Sequence, residues 1–373
     1  MSRAELPRPV VHLKSFALVL LLLMSASGLQ AADVVKVPER LLFVSVQSGG
    51  AQIYAVNADG SDERALTTGP GENTQPSWSP DGRRIAFTST RDAANMDVYL
   101  MNADGSAQQR LTDHALPDDS PAWSPDGQRI VFRSYRDRRA AFYSMAADGS
   151  HLQRLTSADG DKGRPLWAPD GLHIAYEVYG DLGKIELHVM RADGSNDKDV
   201  SSAVSKDKKT QPVWSPDGKR LAFVSVKSYG ENHIYVVDAD GSHAVNLTDS
   251  PYISNQPAWS PDGQRIAFVS NRYGDMISRS AGDIYVMNAD GSSVVNLTRH
   301  TANDDEPSWS SDGQTLYFLS MRNGPPQLHA LDLAGGPPRR LTHHGGQDLM
   351  FSLAPAKPPL IGMTGAGNQS TGN

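Results

Sequence analysis

One short motif, P-x-W-[SA]-[PS]-D-G, recurs six times along the chain and contains every tryptophan in it. The six tryptophans are Trp78, Trp123, Trp167, Trp214, Trp259 and Trp309, and consecutive members lie 44 to 50 residues apart. A period of that length, filled with short apolar runs and turns, is typical of a β-propeller, in which each repeat forms one four-stranded blade. The motif therefore predicts an all-β fold.

Each repeat contains four strand-like segments, which are named strands a to d here. Strand a ends in the tryptophan motif, strand b follows it as an apolar run, strand c leads into an Asp-Gly turn, and strand d ends in Leu-Thr in six of seven copies. Glycine supplies the positive φ that tight hairpins need. Strands b and c are nearly continuous apolar runs, as expected of sheets buried on both faces between neighbouring blades.

Strands b, c and d occur seven times but the tryptophan strand only six, so the blade number depends on one missing strand. We expect it at Asp348–Leu353, with Phe351 in the tryptophan position. The first blade would then join this C-terminal strand to the N-terminal segment Leu41–Thr67, which removes the open edges of the ring. This arrangement predicts seven blades over residues 41–354. Six blades is the alternative if the two ends do not pair.

The two ends of the sequence are expected to lie outside the propeller. Basic residues precede the apolar run Phe16–Met24, and small residues lead to a cleavage position after Ala31. Residues 1–31 are therefore expected to be a cleaved secretory signal, with an uncleaved anchor as the alternative, although the run is too short to span a bilayer. Residues 32–40 form a short lead-in, and the Pro- and Gly-rich residues 355–373 are expected to be a disordered tail.

The composition indicates the cellular compartment of the protein and argues against one class of partner. The chain has no cysteine, and an exported protein without disulfides fits a bacterial periplasm. The chain has a formal net charge of −7, and its two basic clusters are interrupted by aspartate. Nucleic-acid binding needs a concentrated basic surface, so the composition argues against it. We expect a monomer with no cofactor, no nucleic-acid partner and no membrane span once the signal is removed.

The order P-x-W-S-P-D-G-x-x-I-A-F, then I-Y-x-M-N-A-D-G-S, then R-L-T resembles the repeat of TolB-family propellers, over about residues 41–353. The resemblance implies a periplasmic protein whose propeller binds an envelope protein or peptide, such as a lipoprotein similar to Pal. Two features depart from that family, which has an α/β domain before a propeller of six blades. Propellers of prolyl-oligopeptidase-like enzymes share the repeat, but the G-x-S-x-G elbow of their hydrolase domain does not occur here.

The repeated acidic and aromatic residues have structural interpretations. The Asp-Gly pairs could suggest calcium loops, but the downstream acid of such a loop is missing, so hairpin turns are favoured. The tryptophans could form a stacking ring for a ligand, but a position between proline and a turn favours packing against the next blade.

The residues just before each motif proline differ between repeats, and they are the candidate binding site. In the architecture that the repeat resembles, this segment lines the mouth of the central channel, and such a polar, mixed-charge rim could take a peptide, a carbohydrate or a cation. The candidates are Asn73, Gln75, Asp118, Asp119, Arg164, Lys209, Gln211, Asn255, Gln256, Asp304, Asp305 and Glu306. The alternative is a solvated channel mouth without a ligand.

Four histidines after strand d carry the one enzymatic alternative. Oligogalacturonate lyases resemble this architecture and have a histidine-containing metal site, which implies a metal-dependent carbohydrate lyase. The residues concerned are His114, His300, His343 and His344. A metal site needs three or four ligands that converge on one ion, and these loops belong to different blades. The favoured function is a non-catalytic periplasmic scaffold.

Overall fold

The structure, a computed structural model, describes residues 39–355 except 48, 93–94, 158–159, 205, 228–230 and 273–281. The predicted signal at 1–31, all but the last two residues of the lead-in, and all but the first residue of the predicted tail lie outside these residues. Among the described residues there is no helix of the length and apolar character that crossing a membrane would require.

The described residues form seven antiparallel sheets arranged as a ring, a seven-bladed β-propeller, so the predicted fold and blade number are confirmed. Blades 1 to 3, in the order a to d, are Gln347–Leu353, Arg40–Val46, Ala51–Asn57 and Arg64–Ala65; Asn73–Trp78, Arg84–Ser89, Asp97–Asn102 and Gln109–Arg110; and Asp118–Trp123, Arg129–Ser134, Ala141–Ala146 and Gln153–Arg154. Blade 4 has a divided strand a, Asp161–Lys162 and Leu166–Trp167, then His173–Tyr179, a 3-10 turn at Asp181–Gly183, Ile185–Arg191 and Lys198–Asp199. Blades 5 to 7 are Lys208–Trp214, Arg220–Val226, Asn232–Asp238 and Val245–Asn246; Ser254–Trp259, Arg265–Ser270, Asp283–Asn288 and Val295–Asn296; and Asp304–Trp309, Thr315–Ser320, Gln327–Asp332 and Arg339–Arg340.

Blade 1 closes the ring as predicted, because the C-terminal strand Gln347–Leu353 pairs antiparallel with Arg40–Val46. The predicted role of Phe351 is wrong. Leu353 pairs with Leu41 in the register in which Trp214 pairs with Leu221, so Leu353 occupies the tryptophan position. Phe351 lies opposite Phe43 instead. Counting residues from the previous motif misplaced it, because loop lengths differ between blades.

The tryptophans bind neighbouring blades together, which confirms the packing interpretation. Trp214 is buried among Ala175 and Leu187 of blade 4 and Phe223 of its own blade. Its indole N–H donates to the backbone oxygen of Leu166, 3.1 Å away in the preceding blade. Burying so large a ring in apolar surroundings stabilises each interface by several kcal/mol.

The S-P-D-G turns form a second, polar set of repeated contacts. In the first copy the Ser79 hydroxyl donates to the Asp81 carboxylate over 2.6 Å, and this hydrogen bond lowers the pKa of Asp81. The Asp59 carboxylate is bound in the same way by the hydroxyl and N–H of Ser61 in an Asp-Gly-Ser turn. These aspartates therefore bind their own turns, as the hairpin interpretation predicts.

The one motif that lacks the proline of S-P-D-G lies where the ring closes. Ser311 replaces the proline in blade 7, and its N–H donates to the carboxylate of Glu39, 2.9 Å away and directly before the strand Arg40–Val46. Proline has no N–H and could not form this bond. The second carboxylate oxygen of Glu39 accepts a hydrogen bond from the Tyr317 hydroxyl at 3.1 Å. The departure is therefore part of the closure.

Candidate binding site at the channel mouth

The ring has two faces of different character. On one, called the mouth face here, strands a and c begin and strands b and d end; on the other, the turn face, lie the S-P-D-G and Asp-Gly turns. First strands of neighbouring blades contact each other around the axis, so their starting residues surround the channel at the mouth face.

Strand a carries a bulge at the mouth in most blades, directly before the motif proline. The bulged residue has a left-handed backbone, with φ between 52° and 57°. The residues in this conformation are Gln75, Ser120, Gln211, Gln256 and Glu306. Positive φ is unfavourable for residues other than glycine, so these positions need compensating contacts.

Those contacts form a chain of hydrogen bonds from blade to blade. The N–H of Ser120 donates to the Gln75 side-chain oxygen at 2.9 Å, that of Gln256 to Gln211 at 2.8 Å, and that of Glu306 to Gln256 at 2.8 Å. Each glutamine thereby fixes the left-handed residue of the following blade.

The chain of blade-to-blade hydrogen bonds has a different form in blade 4, where strand a is divided. The position before the proline is Arg164, whose side chain cannot accept a hydrogen bond. Glu177 of strand b supplies the missing acceptor, because its carboxylate binds the N–H of Gln211 at 2.9 Å and the Tyr179 hydroxyl at 2.6 Å. Arg164 is left exposed, with no hydrogen bond or ion pair among the described residues.

The chain of blade-to-blade hydrogen bonds ends at Glu306 in blade 7. Its backbone is bound by Gln256, but its carboxylate forms no hydrogen bond or ion pair within the described part of the chain. Burial and the neighbouring Asp305 raise the pKa of Glu306 to about 7, although Arg164 acts in the opposite direction. Burial and Asp304 likewise raise the pKa of Asp305. The mouth thus holds a carboxyl group that titrates near neutral pH.

The structure adds three polar residues of strand b that the sequence analysis missed. Arg133 forms a two-pronged ion pair with Asp119 at 2.7 and 2.8 Å, Thr88 donates to Gln75 at 2.8 Å, and Glu177 is described above. In the other blades the same position is Val44, Val224, Val269 or Leu319. In the sequence, these three residues could have been identified as polar residues within an otherwise apolar strand b.

Five of the predicted mouth residues are buried instead of lining the channel, which corrects the prediction. They are Asn73, Asp118, Asp119, Lys209 and Asp304. Asp118 is paired with Arg136 at 2.9 Å and Asp304 with Arg322 at 2.9 Å. A Ser-x-Arg sequence after strand b supplies these arginines, and each lies over a buried phenylalanine ring of the same strand. Each of these ion pairs lies within a single blade and stabilises it.

The remaining predicted residues lie at the mouth. Gln75, Asn255, Gln256, Asp305 and Glu306 are half-buried there, and Arg164 and Gln211 are exposed. The structure therefore brings together the residues one or two positions before the proline, except Asp119, which is buried against Arg133, and it buries the residues three positions before the proline.

The four candidate histidines do not form one metal site. They follow strand d of blades 2, 6 and 7, and the described residues contain no group of three or more His, Cys, Asp or Glu side chains able to hold a metal ion. His344 instead stacks on Phe43 and lies 3.0 Å from the Asp348 carboxylate. Burial lowers the pKa of His344, but Asp348 outweighs it and the pKa lies above its ordinary value.

Exposed apolar side chains occur on both faces of the described ring. The loops and strand ends of the mouth face display Val46, Met96, Leu116, Tyr179, Leu182, Tyr252 and Met321. The turn face displays Leu152, Leu172, Val245, Val294 and Val295. Exposed apolar groups around a polar centre are typical of protein-binding surfaces.

A seven-bladed ring of W-S-P-D-G repeats with a varied mouth defines a class of propellers, and sequence comparison identifies the family. The model described as "TolB beta propeller domain" matches residues 164–277 and 276–371, more than half of the chain. The chain belongs to the TolB β-propeller family. A second model, "Tricorn protease N-terminal beta propeller domain", matches residues 38–146.

Three individual proteins show how far this similarity extends. The Tol-Pal system protein TolB of Desulfosudis oleivorans is 38% identical over 52 residues, which is 14% of this chain and 12% of that protein. The crystal structure of TolB from Acinetobacter baumannii is similar with a TM-score of 0.54 and 20% identity, covering 84% of this chain and 82% of that one. Oligogalacturonate lyase from Vibrio parahaemolyticus has a TM-score of 0.62 and 17% identity, covering 79% and 86%. Both structural similarities concern the fold.

Proposed function

We propose that this protein is a non-catalytic docking protein of the bacterial periplasm, which binds an envelope protein through its mouth face. The observation that carries the proposal is the difference between the two faces. The turn face repeats one turn whose aspartates are bound within it, whereas the residues at the mouth differ from blade to blade. A binding site requires such differences, since identical blades present identical surfaces.

The name of the Desulfosudis relative, Tol-Pal system protein TolB, supports the choice of partner. By this reasoning the partner is a Pal-like lipoprotein. The predicted secretory signal and the cysteine-free composition support a periplasmic location.

The test measures binding of the purified chain to the lipid-free domain of the Pal-like lipoprotein from the same organism. Tyr179→Glu and Met321→Glu each place a charge on the mouth face, and Leu172→Glu is the matched control on the turn face. We expect the mouth variants to raise the Kd at least about tenfold, because a buried charge without a partner opposes association. The control should remain within about twofold. Equal effects on both faces would refute docking at the mouth.

A further inference from the structure

The side chains of Arg164 and Glu306 form no hydrogen bond among the described residues, and they carry opposite charges when Glu306 is ionised. Arg164 lies in blade 4 and Glu306 in blade 7, on opposite sides of the ring. At three of the other bulges the side chain binds the next blade, through Gln75, Gln211 and Gln256, and at the fourth the residue is the uncharged Ser120. Arg164 and Glu306 are therefore the charged members of the ring that remain available to a ligand.

Arg164 and Glu306 each lie directly before the motif proline of their blade, which places both at the mouth. No ion pair joins them in the described structure, so each can meet a separate group of a ligand. A lone cation would be repelled by Arg164 and a lone anion by Glu306, so the pair favours a ligand that carries both charges.

Neighbouring charged residues increase the difference in charge between the two sides of the mouth. Asp305 lies beside Glu306, and the exposed Lys208 begins strand a of the blade after Arg164. The buried ion pair of Asp119 and Arg133 adds no net charge to the rim. One side of the mouth is therefore acidic and the other basic.

We propose that Arg164 and Glu306 fix the direction of an extended peptide across the mouth, with an acidic side chain of the peptide at Arg164 and a basic one at Glu306. This inference rests on the proposed function, since it requires a protein partner. The glutamines of the ring position the two charged ends without selecting between peptide directions, because their oxygens are already bound to backbone N–H groups.

The experiment is a selection from a random heptapeptide phage library on the purified full chain, on Arg164→Glu/Glu306→Arg, and on Arg83→Glu as a control at an exposed turn-face residue. Thermal unfolding first establishes that each variant is folded. Wild-type protein should enrich peptides with an acidic and a basic residue at a fixed spacing. Exchanging these two charges in a selected synthetic peptide should weaken binding to wild type at least about tenfold, and the double variant should prefer the exchanged peptide. The control should behave as wild type.

Two further outcomes separate this inference from the proposed function. If wild type enriches peptides that show no charge pairing, or if the double variant keeps the wild-type preference, the directional role is refuted and peptide docking stands. If no peptide is enriched by any form of the protein, both proposals fail. Binding of an oligouronate that is lost in Arg164→Glu but unaffected in Glu306→Gln would also overturn the paired role, because a single charge would suffice.

Discussion

Replacing Glu306 by glutamine should stabilise the protein at alkaline pH and have no effect at acid pH. The glutamate pKa is raised from an ordinary 4.5 to about 7 by burial and by Asp305. The folded state therefore binds the proton more tightly than the unfolded chain, and stability is lost as the pH rises from about 4.5 through 7. Glutamine fits the site, since Gln75, Gln211 and Gln256 occupy the same left-handed position in other blades.

The magnitude follows from the size of the pKa shift. A rise from 4.5 to about 7 corresponds to at most about 3 kcal/mol of unfolding free energy once the carboxyl is fully ionised. Solvent reaches the half-buried mouth and screens the charge, which reduces the expected gain at pH 8 to about 1–2 kcal/mol. At pH 4.5 the variant and wild type should have equal stability.

Urea unfolding at pH 4.5, 6, 7 and 8, followed by tryptophan fluorescence, measures the difference between the two proteins. Glu72→Gln, at an exposed position of the loop between blades 1 and 2, is the matched control and should show no trend. A gain that is the same at all four pH values, or a variant less stable than wild type at pH 8, would refute the reasoning.

Three further substitutions test the packing of the ring. Trp214→Ala should cost about 3–5 kcal/mol in urea unfolding, more than Trp78→Ala, because Trp214 is buried and Trp78 is half-exposed; equal losses would contradict the packing argument. Ser311→Pro should cost about 1 kcal/mol by removing the N–H donor to Glu39, whereas Ser311→Ala, which keeps that N–H, should be nearly neutral; a neutral proline variant would show that the bond is unimportant. Gly194→Ala should lower the melting temperature more than Gly82→Ala. Both glycines have positive φ, but a Cβ at 194 would overlap the backbone oxygen of Leu155, whereas one at 82 would meet no atom within 4 Å; similar shifts would contradict a steric cause.

Repetition made the fold predictable. Seven copies of strands b to d and six tryptophan motifs determined the blades, and the surplus segment near Asp348 predicted the closing strand. The tryptophan position within that strand was not predictable, because the loops between successive blades differ in length and the spacing from Trp309 therefore does not locate it.

The site was only partly predictable, for a reason that lies in the geometry of strand a. The sequence located the variable segment before each proline, but alternate residues along a strand face different surroundings. Asp304 is therefore buried against Arg322, whereas Asp305, the next residue, lies half-buried at the mouth. The contribution of Glu177 comes from a different strand, and only the paired register brings it to Gln211.

The closing strand gives the ring a fixed order of assembly. Blade 1 is completed by Gln347–Leu353, which a ribosome makes more than 280 residues after the three strands that it joins. Until then Arg40–Val46 presents an unpaired edge that other strands can add to. A chain truncated before residue 347 would keep blades 2 to 7 and leave blade 1 open. The last strand to be synthesised thus protects the first ones from association with other chains.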